Sequence, residues 1–308
     1  SKSIAASLRA LNSVSRMTAD PPWTIGRLLT WTAEYLRDKN SDSPRLDAEV
    51  LLAHARGCQR IDLYTVYDQA ADEQLRTQFR DLVTRRAAGT PVAYLVGHRE
   101  FFSLSFQVSP DVLIPRPETE SLVVRALDLA KAMPAPIRIA DVGTGSGVLA
   151  VCCAKRLPTC SVTAIDLSPA AVEIARQNAA KHKVAEQIEL VCSDLFAECP
   201  DVAEFDLILS NPPYVATSEM AQLAAGVRDH EPQLALDGGE QGTAVIERLI
   251  PQAIARLKPN GWLLMEVSPN NASRVEQLLA DSNELAVCET INDLAGLPRV
   301  AQAQRKGG

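Results

Sequence analysis

The run Ile137-Arg138-Ile139-Ala140-Asp141-Val142-Gly143-Thr144-Gly145-Ser146-Gly147 carries an apolar, strand-like segment into a glycine-rich turn, and residues 148–154 follow as an unbroken apolar stretch with helical character. Glycines at alternate positions let the backbone turn sharply and approach a ligand closely, while the start of the next helix offers N–H groups with no partner of their own. Taken alone, the turn could equally be a tight strand-to-helix connection with nothing bound. Its spacing, GxGxG, departs from the dinucleotide-binding fingerprint GxGxxG.

Working outward from this turn, apolar runs recur at 161–165, 188–191, 205–210, 262–267 and 285–289. Helical patterns at about 148–156, 169–182, 243–257 and 271–281 separate them, and another helix is expected near 118–132. Such alternation predicts an α/β domain with a parallel sheet covered by helices on both faces. Upstream, the apolar spacing is helical from about 24 to 89. Thr24 can cap a helix burying Leu28, Leu29, Trp31, Tyr35 and Leu36, and Ser43-Pro44 reads as a cap followed by proline in the first helical position. The helix after it is expected to place Leu46, Val50, Leu51 and His54 on one face, with further helical pattern at 63–67 and 73–86. Residues 97–117 read as a hairpin-like extended linker, because Phe101, Phe102, Leu104, Phe106 and Val108 partly alternate and Pro110, Pro115 and Pro117 break any helix. The expected division is an extension at 1–20, expected to be disordered, an N-terminal helical substrate-recognition domain at 21–90, the linker at 91–117 and the catalytic domain at 118–308.

With 308 residues, 46% hydrophobic and 22% charged, the chain has the composition of a globular protein large enough for two domains. Its net charge is −7, which argues against a general grip on phosphate backbones. Residues 1–110 hold 14 Lys/Arg against 12 Asp/Glu, leaving 17 against 26 for the remainder. A polyanionic partner would therefore meet the first part. The longest apolar stretch, 148–154, is far short of the ~20 residues of a membrane span. The 7 cysteines form an odd set without CxxC, mostly inside apolar runs, the pattern of reduced thiols in a cytoplasmic protein. Residues 1–16 carry Lys2, Arg9, Arg16, five serines and no acid. They read either as an added extension ahead of a natural start at Met17, the favoured reading, or as a transit peptide to an organelle. The histidines 54, 98, 182 and 230 have no ligand spacing, so no metal site is expected.

Three further features carry chemistry. Asp166 ends the second strand of the domain, nineteen positions after Gly147, where an acid can accept hydrogen bonds from both hydroxyls of a ribose; it could also simply cap the helix that Ser168-Pro169 opens. Asp194, after the third strand, is placed to accept from an adenine amine, or is an ordinary surface acid. Asn211-Pro212-Pro213-Tyr214 follows the fourth strand, at the carboxyl end of the sheet, where open α/β sheets bind ligands. Two prolines fix the backbone and remove two N–H donors, leaving carbonyls as free acceptors beside the Asn211 side-chain oxygen. That set suits a planar NH₂ group held by Asn211 Oδ1 and the Pro212 carbonyl, with the Tyr214 ring as a π-face for a cation or a platform for substrate. A diproline turn with an aromatic staple is the bland alternative.

The glycine loop is similar to the nucleoside-binding loop of class I S-adenosylmethionine (SAM) methyltransferases. Tyr94-Leu95-Val96-Gly97, Arg99-Glu100-Phe101, Leu113-Ile114-Pro115-Arg116-Pro117-Glu118-Thr119-Glu120, Asn211 to Tyr214, and Glu231-Pro232 before Leu236 together resemble the HemK/PrmC-type release factor glutamine methyltransferases over about 24–303. The most specific piece is the Ile-Pro-Arg-Pro-Glu-Thr-Glu run. The resemblance implies a class I SAM-dependent, Rossmann-like fold with a seven-stranded sheet behind a small all-helical domain and a hairpin linker. It also implies methyl transfer from SAM, leaving S-adenosylhomocysteine, to the glutamine amide nitrogen of a release factor's Gly-Gly-Gln loop, by a monomer needing neither nucleic acid nor membrane. Carried over by position, SAM contacts fall to Gly143, Thr144, Gly145, Ser146, Gly147, Asp166, Asp194, Leu195 and Asn211. Substrate contacts fall to Asn211, Pro212, Pro213 and Tyr214, with Asn211, Pro212 and Tyr214 as the catalytic set. Some members have an aromatic after the adenine-site aspartate where this chain has Leu195; Phe196 next to it could compensate. Arg116 and Glu118 could close over the cofactor or tie linker to core, and Arg228 and Glu231 read as structural. The alternatives are glutamine methylation of a ribosomal protein and methylation of an exocyclic amine in nucleic acid. The second is opposed by the acidic catalytic part, the lack of a basic target-recognition domain and an aromatic content of 5%.

Overall fold

The computed structural model describes residues 22–200 and 204–307; the expected extension at 1–20 lies outside the described residues. The chain divides into two compact units, one ending at Ala88 and one beginning at Gly89.

The first unit is helical: α1 (Ile25–Arg37), α2 (Pro44–Arg56), α3 (Asp62–Thr65) and α4 (Glu73–Ala87). Thr24 caps α1 by accepting from Arg27 N, Asp72 caps α4 by accepting from Leu75 N, and Pro44 occupies the first turn of α2. The core is built on Ile25, Leu28, Leu29, Leu36, Leu51, Leu52, Leu63 and Phe79. Two expectations about faces are corrected. Trp31 is exposed and stacks flat on Tyr35, with Ile25 taking the inward position instead. On α2, Leu46 and His54 face outward while Asp47, Ala48, Leu51 and Leu52 are buried. The displaced positions differ by one residue, about 100° around a helix, because Asp47 goes inward to pair with Arg86 at 2.7 Å.

The second unit opens with α5 (Val92–Val96) and a hairpin of β1 (His98–Phe101) and β2 (Leu104–Gln107). A 3₁₀ turn, Pro117–Thr119, leads into α6 (Glu120–Ala130). The remainder alternates β3 (Arg138–Val142), α7 (Val148–Arg156), β4 (Ser161–Asp166), α8 (Pro169–Lys181), β5 (Ile188–Cys192), β6 (Phe205–Ser210), α9 (Ala225–Arg228), α10 (Ala244–Arg256), β7 (Leu257–Glu266), α11 (Ala272–Ala280), β8 (Leu285–Asn292) and β9 (Pro298–Arg305). Among the described residues, seven of these strands form one sheet in the order β5-β4-β3-β6-β7-β9-β8. The pairs from β5 to β7 are parallel, whereas β9 runs antiparallel to both β7 and β8.

The apolar runs read from the sequence end near 285–289 and leave out β9, which completes the expected seven strands with antiparallel pairs. Its Val300, Ala301 and Ala303 are buried, yet Gln302 and Gln304 interrupt them, so the run reads as polar in sequence. Gln302 survives burial because its amide donates to Glu289 O and accepts from Arg125. Apolar side chains fill both faces of the sheet, Leu122, Val151, Ile139 and Leu207 among one group and Ile208, Leu249, Leu263 and Val275 among the other. The hairpin is fastened to this core by Asn178 of α8, fully buried, which accepts from Gln107 N and donates to the carbonyls of Gln107 and Ser146.

Candidate active site

At the carboxyl end of β3 the chain must reverse into α7 within five residues. Gly143, Gly145 and Gly147 all have positive φ, 75°, 55° and 81°, a region that costs L side chains about 1–2 kcal/mol each. The first helical turn of α7 has no side-chain cap of its own, because its cap residue is Gly147. Asp141 supplies one from the strand: its Oδ2 accepts from Ala150 N at 3.0 Å and from Thr144 Oγ1 at 2.6 Å. The side chain is fully buried, Oδ1 makes no hydrogen bond among the described residues, and burial pushes its carboxyl up to about 6. No sequence pattern around Asp141 marks it for this task, because its partners Thr144 and Ala150 meet it only once the loop has turned.

Asp166, at the end of β4, turns toward this loop. Its Oδ2 accepts from Gly145 N at 2.8 Å and its Oδ1 from Ser168 N at 2.9 Å. Ser168 itself caps α8 by accepting from Ala171 N. Burial raises the Asp166 carboxyl and these backbone donors partly offset it. Each carboxylate oxygen keeps acceptor capacity for a further donor.

A cavity of about 260 Å³ opens here. It gathers Gly143 to Ser146, Asp166, Asp194, Leu195, Asn211 and Pro213, together with Thr119. Gly147, Pro212 and Tyr214 do not line it. Gly147 is instead pressed on α8, where a β-carbon would stand 3.2 Å from Ala175. Asp194 sits at the rim, paired to Arg248 at 2.5 Å. Leu195 is buried in the wall, whereas Phe196 packs behind it against Phe205 and does not reach the cavity. The apolar surface at that end is aliphatic, with Leu167, Leu195, Leu234 and Val245.

Asn211 to Tyr214 leave β6 beside the glycine loop, as their place in sequence predicts. The segment is braced by Ser210 Oγ donating to Val142 O and Val215 N donating to Leu236 O. Gly242 lies so close behind it that a β-carbon would come within 2.5 Å of Tyr214 O. Asn211 Nδ2 donates to Thr119 Oγ1 at 3.3 Å, and Tyr214 Oη donates to Glu266 Oε1 at 3.4 Å. Burial beside Glu266 raises the Tyr214 hydroxyl well above its ordinary range. Glu266 and Thr119 were missed in sequence. A usable signal existed, since Glu266 ends a strand adjacent to that of Asn211 and Thr119 belongs to the run quoted above. The rest of that run anchors it: Glu231 accepts from Ile114 N at 3.1 Å and pairs with Arg116 at 2.5 Å, and Glu120 accepts from Phe102 N. Arg116 thus holds the linker, Glu118 is exposed, and Arg228 pairs with its neighbour Asp229.

Two family models match the chain, the PrmC N-terminal domain over residues 27–97 and the methyltransferase small domain over 121–228. A release factor glutamine methyltransferase of Rhodopirellula baltica is 47% identical over 93% of this chain and 98% of its own length. The chain belongs to the release factor glutamine methyltransferase family. A second member, from Koribacter versatilis, is 42% identical over 92% of this chain and 99% of its own. Among solved structures, the hMettl16 catalytic domain, crystallised with an RNA hairpin, shares the fold with a TM-score of 0.55 at 18% identity, over 73% of this chain and 82% of that one.

Release factor glutamine methyltransferases use SAM, and the cavity fits it. A β-carbon built on Gly145 meets nothing within 4 Å, so the open space faces backbone that a ligand can approach. Asp166 offers acceptors for a ribose, and the leucines and Val245 offer an apolar wall for a base. Bound there, SAM supplies a methyl group made electrophilic by its sulfonium.

Proposed function

We propose that this family member methylates N5 of the glutamine in the Gly-Gly-Gln loop of peptide-chain release factors, with Asn211, Pro212 and Tyr214 as the catalytic set. The observation that carries the reading is the placement of Asn211 at the cavity beside the glycine loop, with its Nδ2 occupied by Thr119 and its Oδ1 left as an acceptor. An amide nitrogen is a weak nucleophile because its lone pair is delocalised, and the motif contains no strong base. The chain's contribution is therefore positional. Asn211 Oδ1 and the Pro212 carbonyl take the two hydrogens of the substrate NH₂, and Gly143 to Ser146, Asp166, Asp194 and Leu195 hold the cofactor, with Gly147 setting the packing of the loop on α8. Alignment of this kind is worth about 7–11 kcal/mol, and acceptors that meet the amide as it gains positive charge add about 3 kcal/mol.

With a purified release factor and labelled SAM, Asn211→Ala is expected to lower turnover about 10²-fold or more while SAM affinity stays near that of the native chain. Turnover close to native in this variant, or label entering DNA or rRNA controls in place of the release factor, overturns the reading.

The helical unit is the part we assign to recognising the release factor, acting with one catalytic unit as a monomer in the cytoplasm. Support comes from its surface, where Trp31, 48% exposed, stacks on Tyr35 at 5.1 Å and meets Trp23 edge-on. Exposed tryptophans of this kind are frequent binding anchors. Trp31→Ala should raise KM for the release factor about 10-fold and leave KM for SAM unchanged. An unchanged KM for the release factor removes that assignment.

A further inference from the structure

Glu266 is an oddity for a methyl-transfer site. It is 2% exposed, its Oε2 makes no hydrogen bond of standard geometry among the described residues, and no arginine or lysine pairs with it among the ion pairs found. Burying an acid without a cationic partner is costly and raises its pKa. Its neighbours are hydroxyls. Tyr214 Oη donates to Oε1, and the Thr119 hydroxyl lies beside the same carboxylate and works to hold its pKa down. Thr119, itself 2% exposed, also receives Asn211 Nδ2. Three elements that are distant in sequence thus converge: the turn before α6, the segment after β6 and the last residue of β7.

We propose that Glu266 is a positioning residue that fixes, through Thr119, which end of the Asn211 carboxamide faces the cavity. This rests on the reading of Asn211 given above. A hydroxyl has one proton, and an ionised carboxylate only accepts. When the Thr119 proton goes to Glu266, Thr119 can only accept from Asn211, so the nitrogen end of the amide turns to Thr119. Oδ1 is then presented to the substrate NH₂. With Glu266 protonated, or replaced by glutamine, the carboxyl side gains a donor and the Thr119 proton is free to turn to Asn211. The amide can then invert, setting its own N–H groups against those of the substrate. Tyr214 is held by the same carboxylate, so the two polar side chains of the Asn-Pro-Pro-Tyr segment share one anchor.

The charges that bear on Glu266 are Glu118 from the turn before α6, Tyr214 from the segment after β6, and Arg299 from β9, which is itself paired with Asp293 at 2.8 Å. Burial is the largest influence and raises the carboxyl to about 7. The anchor therefore loses its charge on the acid side of neutrality.

The test uses the full chain, a purified release factor and labelled SAM. Glu266→Gln and Thr119→Val are expected to lower kcat about 10- to 100-fold with KM for SAM within about 2-fold of native. Thr119→Ser, which keeps the hydroxyl, should restore kcat to within about 3-fold, and the double variant E266Q/T119V should be no worse than either single one. Native kcat should fall below pH 7, and this limb should be absent in Glu266→Gln. Near-native kcat in both single variants overturns the proposal, as do multiplying losses in the double variant or a Thr119→Ser chain as impaired as Thr119→Val. Those results leave the substrate reading intact, because the native chain still labels the release factor. A native chain that does not label it refutes the substrate reading and this proposal together.

Discussion

At the scale of single residues, the site keeps acids where water would hold them better. Glu266 and Asp141 are both enclosed, and burial raises each, to about 7 and about 6. For Glu266 the direction of the consequence follows from its ordinary value of 4.5. Between pH 4.5 and 7 the folded chain keeps a proton that the unfolded chain has released, so stability falls as pH rises through that window and stays lower above it. At 1.4 kcal/mol per pH unit the loss is about 3 kcal/mol. Glu266→Gln never ionises and escapes it. That variant is expected to be more stable than the native chain at pH 8 and to differ little near pH 4.5, as measured by urea unfolding at both values. A difference independent of pH would count against the buried acid as its source. A side chain whose replacement stabilises the fold and slows the reaction is held for function.

At the scale of elements, the linker between the hairpin and α6 is fastened by a few buried groups. Glu231 binds Ile114 N and Arg116. Glu231→Ala leaves the Ile114 N–H buried without an acceptor, a loss of about 1–3 kcal/mol. That corresponds to a fall in Tm of roughly 2–12 °C for a unit of this size, read by calorimetry; an unchanged Tm would show the clamp to be dispensable. Much of this level was legible in the sequence. The strands at β3, β4, β5 and β6 and the helices between them follow from apolar period and turn chemistry, and the Thr24 cap forms as read, whereas Ser43 makes no side-chain cap and Ser168, not Asp166, caps α8. What was not legible has a common cause in long-range pairing. Trp31 faces outward because Ile25 fills the core, β9 hides behind its glutamines, and Thr119 meets Glu266 only once α6 and β7 are in place. The glycine loop and Asn211 could be located from their own residues, whereas the acid that orients Asn211 could not.

At the scale of the whole molecule, the charge read from the sequence falls on the unit that holds the cavity, and the helical unit presents an aromatic surface instead. The antiparallel β9 has a consequence of timing. β8 pairs with the sheet only through β9, and β7 has β9 as its neighbour on the side away from β6. During synthesis β7 emerges with one edge bare, and β8 emerges with nothing to join. The strand made after both must slide between them, so the edge carrying Leu263 and Met265 stays open to a wrong partner until residues 298–305 arrive. A chain stopped at Leu297 is expected to precipitate or bind a chaperone rather than yield a soluble, less active enzyme, as size-exclusion chromatography would show. A soluble, monomeric product would mean that the first five strands hold without it. Freedom from edge-to-edge aggregation is thus conferred by the arrival of a single strand.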